Sequence, residues 1–300
     1  DATKVFSVNE TGTGDSPTNV WNIGFATDMN INTKTTGTTK YLFSRLVGET
    51  SLATNGTNAE GGASGIEVFD SATGTLDLNT NWWSTASNVI SWSWKRAPSY
   101  FDVVAYSGTG SATTVTHNLG AVPEMIWVKS RSHATNWAVY HKDLSAGQYL
   151  MLNKTNGVDT NSAYFTTTAP TSSVFSIGVG EYTNQSSSHT YIAYLFATVA
   201  GVSKVGSYTG SGSDQNIDCG FSSGARFVLI KNASNSDNWG LFDSTRGIVA
   251  GNDAHLSLNS THAQASNTDY VDPHSSGFAV VGNDTMVNAS SDTYIFYAIA

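Results

Sequence analysis

"HTYIAYLFA", His189 to Ala197, and "DTYIFYAIA", Asp292 to Ala300, write one strand twice. Side chains of an extended chain alternate between two faces, so Tyr191, Ala193, Leu195 and Ala197 share one face and Ile192, Tyr194 and Phe196 the other. Both faces are apolar, the pattern of a strand buried inside a sheet. Five of the nine positions recur about a hundred residues on, which directs the search to internal repeats before motifs.

The repeat extends in both directions. "AYSGTG" (Ala105 to Gly110) returns as "SYTGSG" (Ser207 to Gly212), "MIWVK" (Met125 to Lys129) as "FVLIK" (Phe227 to Lys231), and "NWAVYHKD" (Asn136 to Asp143) as "NWGLFDST" (Asn238 to Thr245). "LMLN" and "SSVF" return as "LSLN" and "SSGF" in the same order. A third, worn copy precedes these. "NVISWSWK" pairs Trp92 with Tyr194 and Trp94 with Phe196, "TTKYLFSRL" stands where "ATNWAVYHK" stands, and "GFATDM" matches "GAVPEM". The sequence therefore predicts an all-β chain of three tandem β-sandwich, jelly-roll-like modules of about a hundred residues. Their boundaries are 1–98, 99–202 and 203–300. Each is expected to close its own core, with the modules in line on restricted hinges.

Composition agrees with this class. Charged residues make up 12% of the chain, and Ser, Thr, Asn and 28 Gly take their place. Turn residues punctuate short runs of Val, Ile, Tyr, Phe and Trp, and no window reads as an amphipathic helix. A net charge of −9 argues against a nucleic-acid partner, which needs a basic patch. No apolar run is long enough for a membrane-spanning helix, so no membrane insertion is expected. The lone Cys219 forms no intrachain disulfide.

Little of the sequence reads as chemistry. The seven histidines lack the close pairs that metal sites favour, and His117 and His141 align with Cys219 and Asp243. "NTDYVDPHSS" places Asp269 and Asp272 in a loop without the dense spacing of a calcium loop, so Asx turns before Pro273 are the better reading. "FDSTRGI" reads as a local ion pair or cap between Asp243 and Arg246. "SGTGS" has no phosphate-loop lysine. No catalytic residue, cofactor or metal is expected, and no carboxylate pair recurs beside aromatics as a depolymerase would need. The triplets at Asn55, Asn153 and Asn259 follow from an Asn-, Ser- and Thr-rich composition.

Trp127, Trp137, Trp239, Tyr191, Tyr194, Tyr294 and Tyr297 recur at strand positions and are read as core. Trp82 and Trp83 differ, because adjacent strand residues face opposite ways and the other copies lack the pair. They are candidate contacts for a sugar or partner chain, together with the loop residues His133 and Asp237.

"FDVVAYSGTGSATTVTHNLGAVPEMIWVKSR", "NWAVYHKDL", "TAPTSSVFSIG", "TYIAYLFA", "SKVGSYTGSGS", "ARFVLIK" and "NWGLFDSTRGI" resemble the repeat of a family of structural proteins of tailed bacteriophages, common in phages of marine bacteria and cyanobacteria. The resemblance is close over Phe101 to Ala300 and fainter before it. It implies a non-enzymatic virion protein on the exterior of the particle, part of a fibre or appendage that contacts the host surface. Other virion proteins, further copies (a trimer by analogy with phage fibres) and a host surface glycan are the partners it implies. A lectin-like carbohydrate-binding module and a capsid or tail decoration protein without a receptor role are the alternatives. No ligand residues come with the resemblance, and such proteins usually carry an additional N-terminal module.

Overall fold

The computed structural model describes residues 1–10, 20–62, 67–69, 72–77 and 88–300. Trp82 and Trp83 lie outside the described residues. After a 3-10 turn at Ala2–Lys4, strands come in three successive sets. The first is β1 (Phe6–Glu10), β2 (Val20–Asn22), β3 (Met29–Lys34), β4 (Tyr41–Ser44), β5 (Leu52–Ala53), β6 (Glu67–Val68), β7 (Gly74–Asp77) and β8 (Val89–Trp94). The second is β9 (Phe101–Ser107), β10 (Thr113–Thr116), β11 (Met125–Ser130), β12 (Ala138–His141), β13 (Gln148–Met151), β14 (Asp159–Thr160), β15 (Val174–Ile177) and β16 (Thr190–Phe196). The third is β17 (Ser203–Thr209), β18 (Gln215–Asp218), β19 (Phe227–Asn232), β20 (Trp239–Asp243), β21 (His255–Ser257), β22 (Val271–His274), β23 (Gly277–Val280) and β24 (Thr293–Ile299).

One antiparallel topology serves all three sets. The large sheets run β1-β8-β3-β4-β5, β9-β16-β11-β12-β13 with β14 added at the edge, and β17-β24-β19-β20-β21. The small sheets are β2-β7-β6, β10-β15 and β18-β23-β22. The strand quoted at the outset is β16 and its equivalent β24, each hydrogen-bonded along both edges, and the faces of β16 are apolar because both are covered: Ile192, Tyr194 and Phe196 lie in one apolar cluster and Tyr191, Ala193, Leu195 and Ala197 in another. The result is an all-β sandwich fold. It departs from a jelly roll in that the third, fourth and fifth strands of each set form a meander within one sheet. Val271–His274 is strand, so Asp272 and Pro273 belong to a sheet edge and not to the loop expected for them. Proline is tolerated there because an edge strand leaves its outward N–H positions unpaired.

The repeated glycines have two separate causes. A Cβ on Gly108 would stand 2.3 Å from the Ser186 carbonyl oxygen, and one on Gly210 2.1 Å from that of Ala289. Gly110 and Gly212 instead adopt φ of +69° and +71°, a left-handed conformation that costs glycine nothing.

The sets are not strung in line with separate cores. A single apolar cluster runs through all three, and the second set keeps a further cluster of its own around Phe175 and Ile177. Phe6 lies 5.2 Å from Phe227 between ring centres, Trp94 lies 5.5 Å from Phe227, and Phe196 lies 5.0 Å from Tyr297. Cross-set hydrogen bonds repeat in a cycle. The backbone N–H of Glu60 donates to the Arg131 carbonyl at 2.7 Å, Val158 to Ala233 at 2.7 Å, and Gln264 to Thr35 at 2.7 Å. Thr35, Arg131 and Ala233 each directly follow the third strand of their set. First joins second, second joins third and third returns to first. The three large sheets thus close a pseudo-threefold ring, because each inward face of Met, Trp, Tyr and Phe is covered by the next set and not by its own small sheet.

Candidate functional site

Polar side chains gather at two places beside the seams: one follows Arg131, and the other is lined by Asp237, whose N–H donates to the Thr155 carbonyl of the second set, and by Ala263 and Ala265 on either side of Gln264. The first pairs His133 with His189. Ser132 stands at the start of the loop after β11, its Oγ 2.9 Å from His133 Nδ1 and accepting from the Thr190 N–H at 3.0 Å. The imidazoles stack with centres 3.4 Å apart and planes 27° from parallel. Desolvation, with the His133 imidazole adding to it, holds His189 below the usual histidine range. Face-to-face stacking aims the ring nitrogens away from a common point, which does not suit chelation. In the third set Asn235 and Asp292 take these positions, Asn235 Nδ2 donating to both carboxylate oxygens at 2.8 and 2.9 Å.

The second place is a cleft of about 350 Å³ in the third set, where Asp237 lies. That volume is at the lower end of the roughly 300–1,000 Å³ of small-molecule sites. Strand β21 contributes His255, the loop before β20 contributes Asp237 and Asn238, the residue before β22 is Tyr270, and the turn after β23 brings Asp284, Thr285 and Met286. His262 stands on the loop after β21.

Backbone and side-chain bonds fix these groups. Asp237 Oδ1 accepts from the Asn238 N–H at 2.7 Å and Oδ2 from the Thr285 hydroxyl at 2.5 Å. Asn259 Nδ2 donates to Asn238 Oδ1 at 2.9 Å. Asp284 Oδ1 caps its own turn through the Met286 N–H at 2.8 Å. His255 Nδ1 lies 3.3 Å from the Asp253 carbonyl, which can only accept, so Nδ1 carries the proton and Nε2 is an acceptor. Burial pushes this imidazole below the usual histidine range; the Asp253 carbonyl bond opposes that, and the Arg246 charge adds to it. The ring meets Tyr270 edge-on, centres 4.8 Å apart.

The remaining expected residues divide cleanly. Trp127, Trp137, Trp239, Tyr191, Tyr194, Tyr294 and Tyr297 are all buried. Asp243 and Arg246 do form the local pair, with Nη2 2.6 Å from Oδ2. Both side chains are buried, however, and Trp92 of the first set donates its indole N–H to the same carboxylate at 3.1 Å. His133 lies outside the cleft that Asp237 lines. The sequence reading missed His255, His262, Tyr270, Asp284 and Met286. Their signal was a difference between copies at aligned positions.

Among the described residues, no three His, Cys, Asp or Glu side chains are grouped to hold a metal ion. No described helix is long and apolar enough to cross a membrane. Comparison with curated proteins gives no match. A family described as a domain of unknown function, DUF7483, matches residues 2–300, so one family unit spans all three strand sets. The chain belongs to that family.

Proposed function

We propose that this chain is a non-enzymatic structural protein on the exterior of a tailed-phage particle, built as three repeated β-sandwich modules and serving in a fibre or appendage that meets the host surface. The observation that carries the reading is the cyclic closure. Each seam uses equivalent backbone positions, so the modules act as one rigid block. Loop residues 109–112, 171–173 and 234–236, nearly all Ser, Thr, Asn or Gly, stay exposed. Such a block is suited to hold loops at fixed spacing, where several weak contacts add to avidity. The phage-repeat resemblance supports the same reading.

In this reading the chain assembles with other virion proteins and with further copies of itself, and the surface it meets is a host glycan. The threefold arrangement that fibres commonly obtain from three chains is here approximated within one.

Electron cryo-microscopy of intact particles, labelled with an antibody to this chain, tests the proposal. Label on a projection with its loops free is expected. Label absent from particles, or confined to buried positions between shell subunits, would overturn the host-contact role. A second reading, a lectin-like module, is favoured by the cleft alone.

A further inference from the structure

We propose that the cleft between β21 and the turn after β23 is a binding site for one neutral sugar residue, and that the second strand set holds the filled-in form of the same site. The proposal deepens the host-glycan reading above, although the site stands or falls on its own test.

Equivalent positions make the comparison. Leu150 of β13 and Leu256 of β21 pair with Val139 and Leu241, which places Tyr149 where the third set has His255. Phe165 bridges Ile177 as Val271 pairs with Val280, which places Tyr164 opposite Tyr270. The turns after β15 and β23 share their bonding. Thr183 and Asn184 donate to the Gly180 carbonyl as Val287 and Asn288 do to that of Asp284, so Tyr182 corresponds to Met286.

In the second set the three tyrosines fill the space themselves. Tyr164 stacks on Tyr182 with centres 4.2 Å apart and planes 5° from parallel, and Tyr149 meets Tyr164 at 4.7 Å. The Tyr182 hydroxyl takes the Asn136 amide at 2.9 Å. In the third set two of those rings are replaced by His255 and Met286, and only Tyr270 remains. The space reopens, and Asn238, the counterpart of Asn136, loses its tyrosine partner. The carboxyl groups are rearranged at the same time: Asp237 stands in place of Thr135 and Asp284 in place of Gly180, while Thr285 replaces Glu181.

The residues that open the cleft match a sugar's needs. A pyranose presents an apolar face and a ring of hydroxyls. Tyr270 offers an aromatic surface, Met286 an adaptable apolar contact, and Asp237, Asp284, Asn238 and His255 Nε2 offer acceptors for hydroxyl donors. Asp237 and Asp284 already hold backbone N–H groups, so they are positioned before a ligand arrives, which lowers the entropic cost of binding. Two carboxylates in one small cleft disfavour an acidic sugar, so neutral hexosides and N-acetylhexosaminides are the class admitted.

The test is a titration of the full chain, followed by protein-observed NMR, with methyl glycosides of glucose, galactose, mannose, rhamnose and N-acetylglucosamine, and with methyl glucuronide as the acidic control. Saturable shifts are expected for at least one neutral glycoside, centred on residues flanking Asp237, His255 and Asp284, with the glucuronide at least tenfold weaker. The H255Y/M286Y double variant rebuilds the tyrosine cluster of the second set. It is expected to fold and to weaken binding at least tenfold. D237N and D284N, each isosteric, check the site should that variant fail to fold, and each is expected to weaken binding severalfold.

No saturable shift from any neutral glycoside, or binding unchanged in D237N, D284N and a folded double variant, overturns the site. Particle labelling would be untouched by that failure, so the two proposals fail separately. Release of free sugar from a bound glycoside would overturn the non-enzymatic reading and leave the site standing.

Discussion

Trp137 and Trp239 occupy the same register position in consecutive strand sets, and each donates its indole N–H backward to the preceding set: Trp137 to the Ala53 carbonyl at 2.9 Å, Trp239 to the Met151 carbonyl at 3.1 Å. Lys40 holds the third equivalent position and reaches the Ser260 carbonyl at 2.5 Å, closing the cycle with an ammonium in place of an indole. Asn55, Asn153 and Asn259 accept the backbone N–H of Lys40, Trp137 and Trp239 respectively. The three triplets that composition alone explained are one conserved device within the chain, and their side chains are engaged inward.

That device gives a stability prediction. W137F and W239F each leave a cross-set carbonyl without its donor while preserving most of the buried ring. Each is expected to cost about 1–3 kcal/mol. N153A, which strips the acceptor from the Trp137 N–H, should cost a similar amount. Urea unfolding followed by tryptophan fluorescence checks all three, and a single cooperative transition is expected because the core is shared.

The buried pair Asp243–Arg246 supports the seam between third and first sets. R246M leaves the Asp243 carboxylate uncompensated beneath Trp92 and is expected to cost about 3–5 kcal/mol. Denaturant midpoints of wild type and variant measure it, and a loss under 1 kcal/mol would contradict the assignment.

Acid should loosen the ring through His141. This imidazole is wholly buried, and burial lowers its pKa to about 4, with the Asp143 carboxylate opposing that shift. The unfolded chain takes up the proton near pH 6.5, the folded chain only near 4, so stability falls as pH drops through that window, by about 3 kcal/mol in all. Asp253 acts oppositely. Its burial raises the carboxyl to about 6, so its contribution is present at low pH and lost as pH rises from about 4 to 6. The wild-type loss of stability between pH 7 and 4.5 is expected to shrink in H141N and to grow in D253N, each read from urea midpoints.

The stacked His133–His189 pair gives a local titration. NMR should find His189 below its usual range and find it rising in H133A, since the second imidazole is one of its two causes.

Sequence periodicity carried the strands a long way. The aligned rows "TYIAYLFA" and "NVISWSWK" do fall on β16 and β8, with Tyr194 and Trp92 at the same register against Trp127 and Ile31. Period-two apolarity reports that both faces of a strand are covered, but not by what. The expected separate cores failed at that point, because an inward Trp94 or Phe196 is equally apolar whether its own small sheet or a neighbouring set covers it. The Asp272–Pro273 segment misled because turn-forming residues are also tolerated at a sheet edge. In the candidate site, Asp237 was visible as a polar loop residue. His255 and Met286 were not, since nothing marks them until they are set against Tyr149 and Tyr182.

Small-angle X-ray scattering of the purified chain tests the closed ring most directly. A closed block of 300 residues has a radius of gyration of about 19 Å. Three separate modules in line would give about 30 Å, from roughly 13 Å per module and their spacing. A value near the first, with a single compact distance distribution, is the result predicted; a value near the second, with an elongated tail, would contradict the ring.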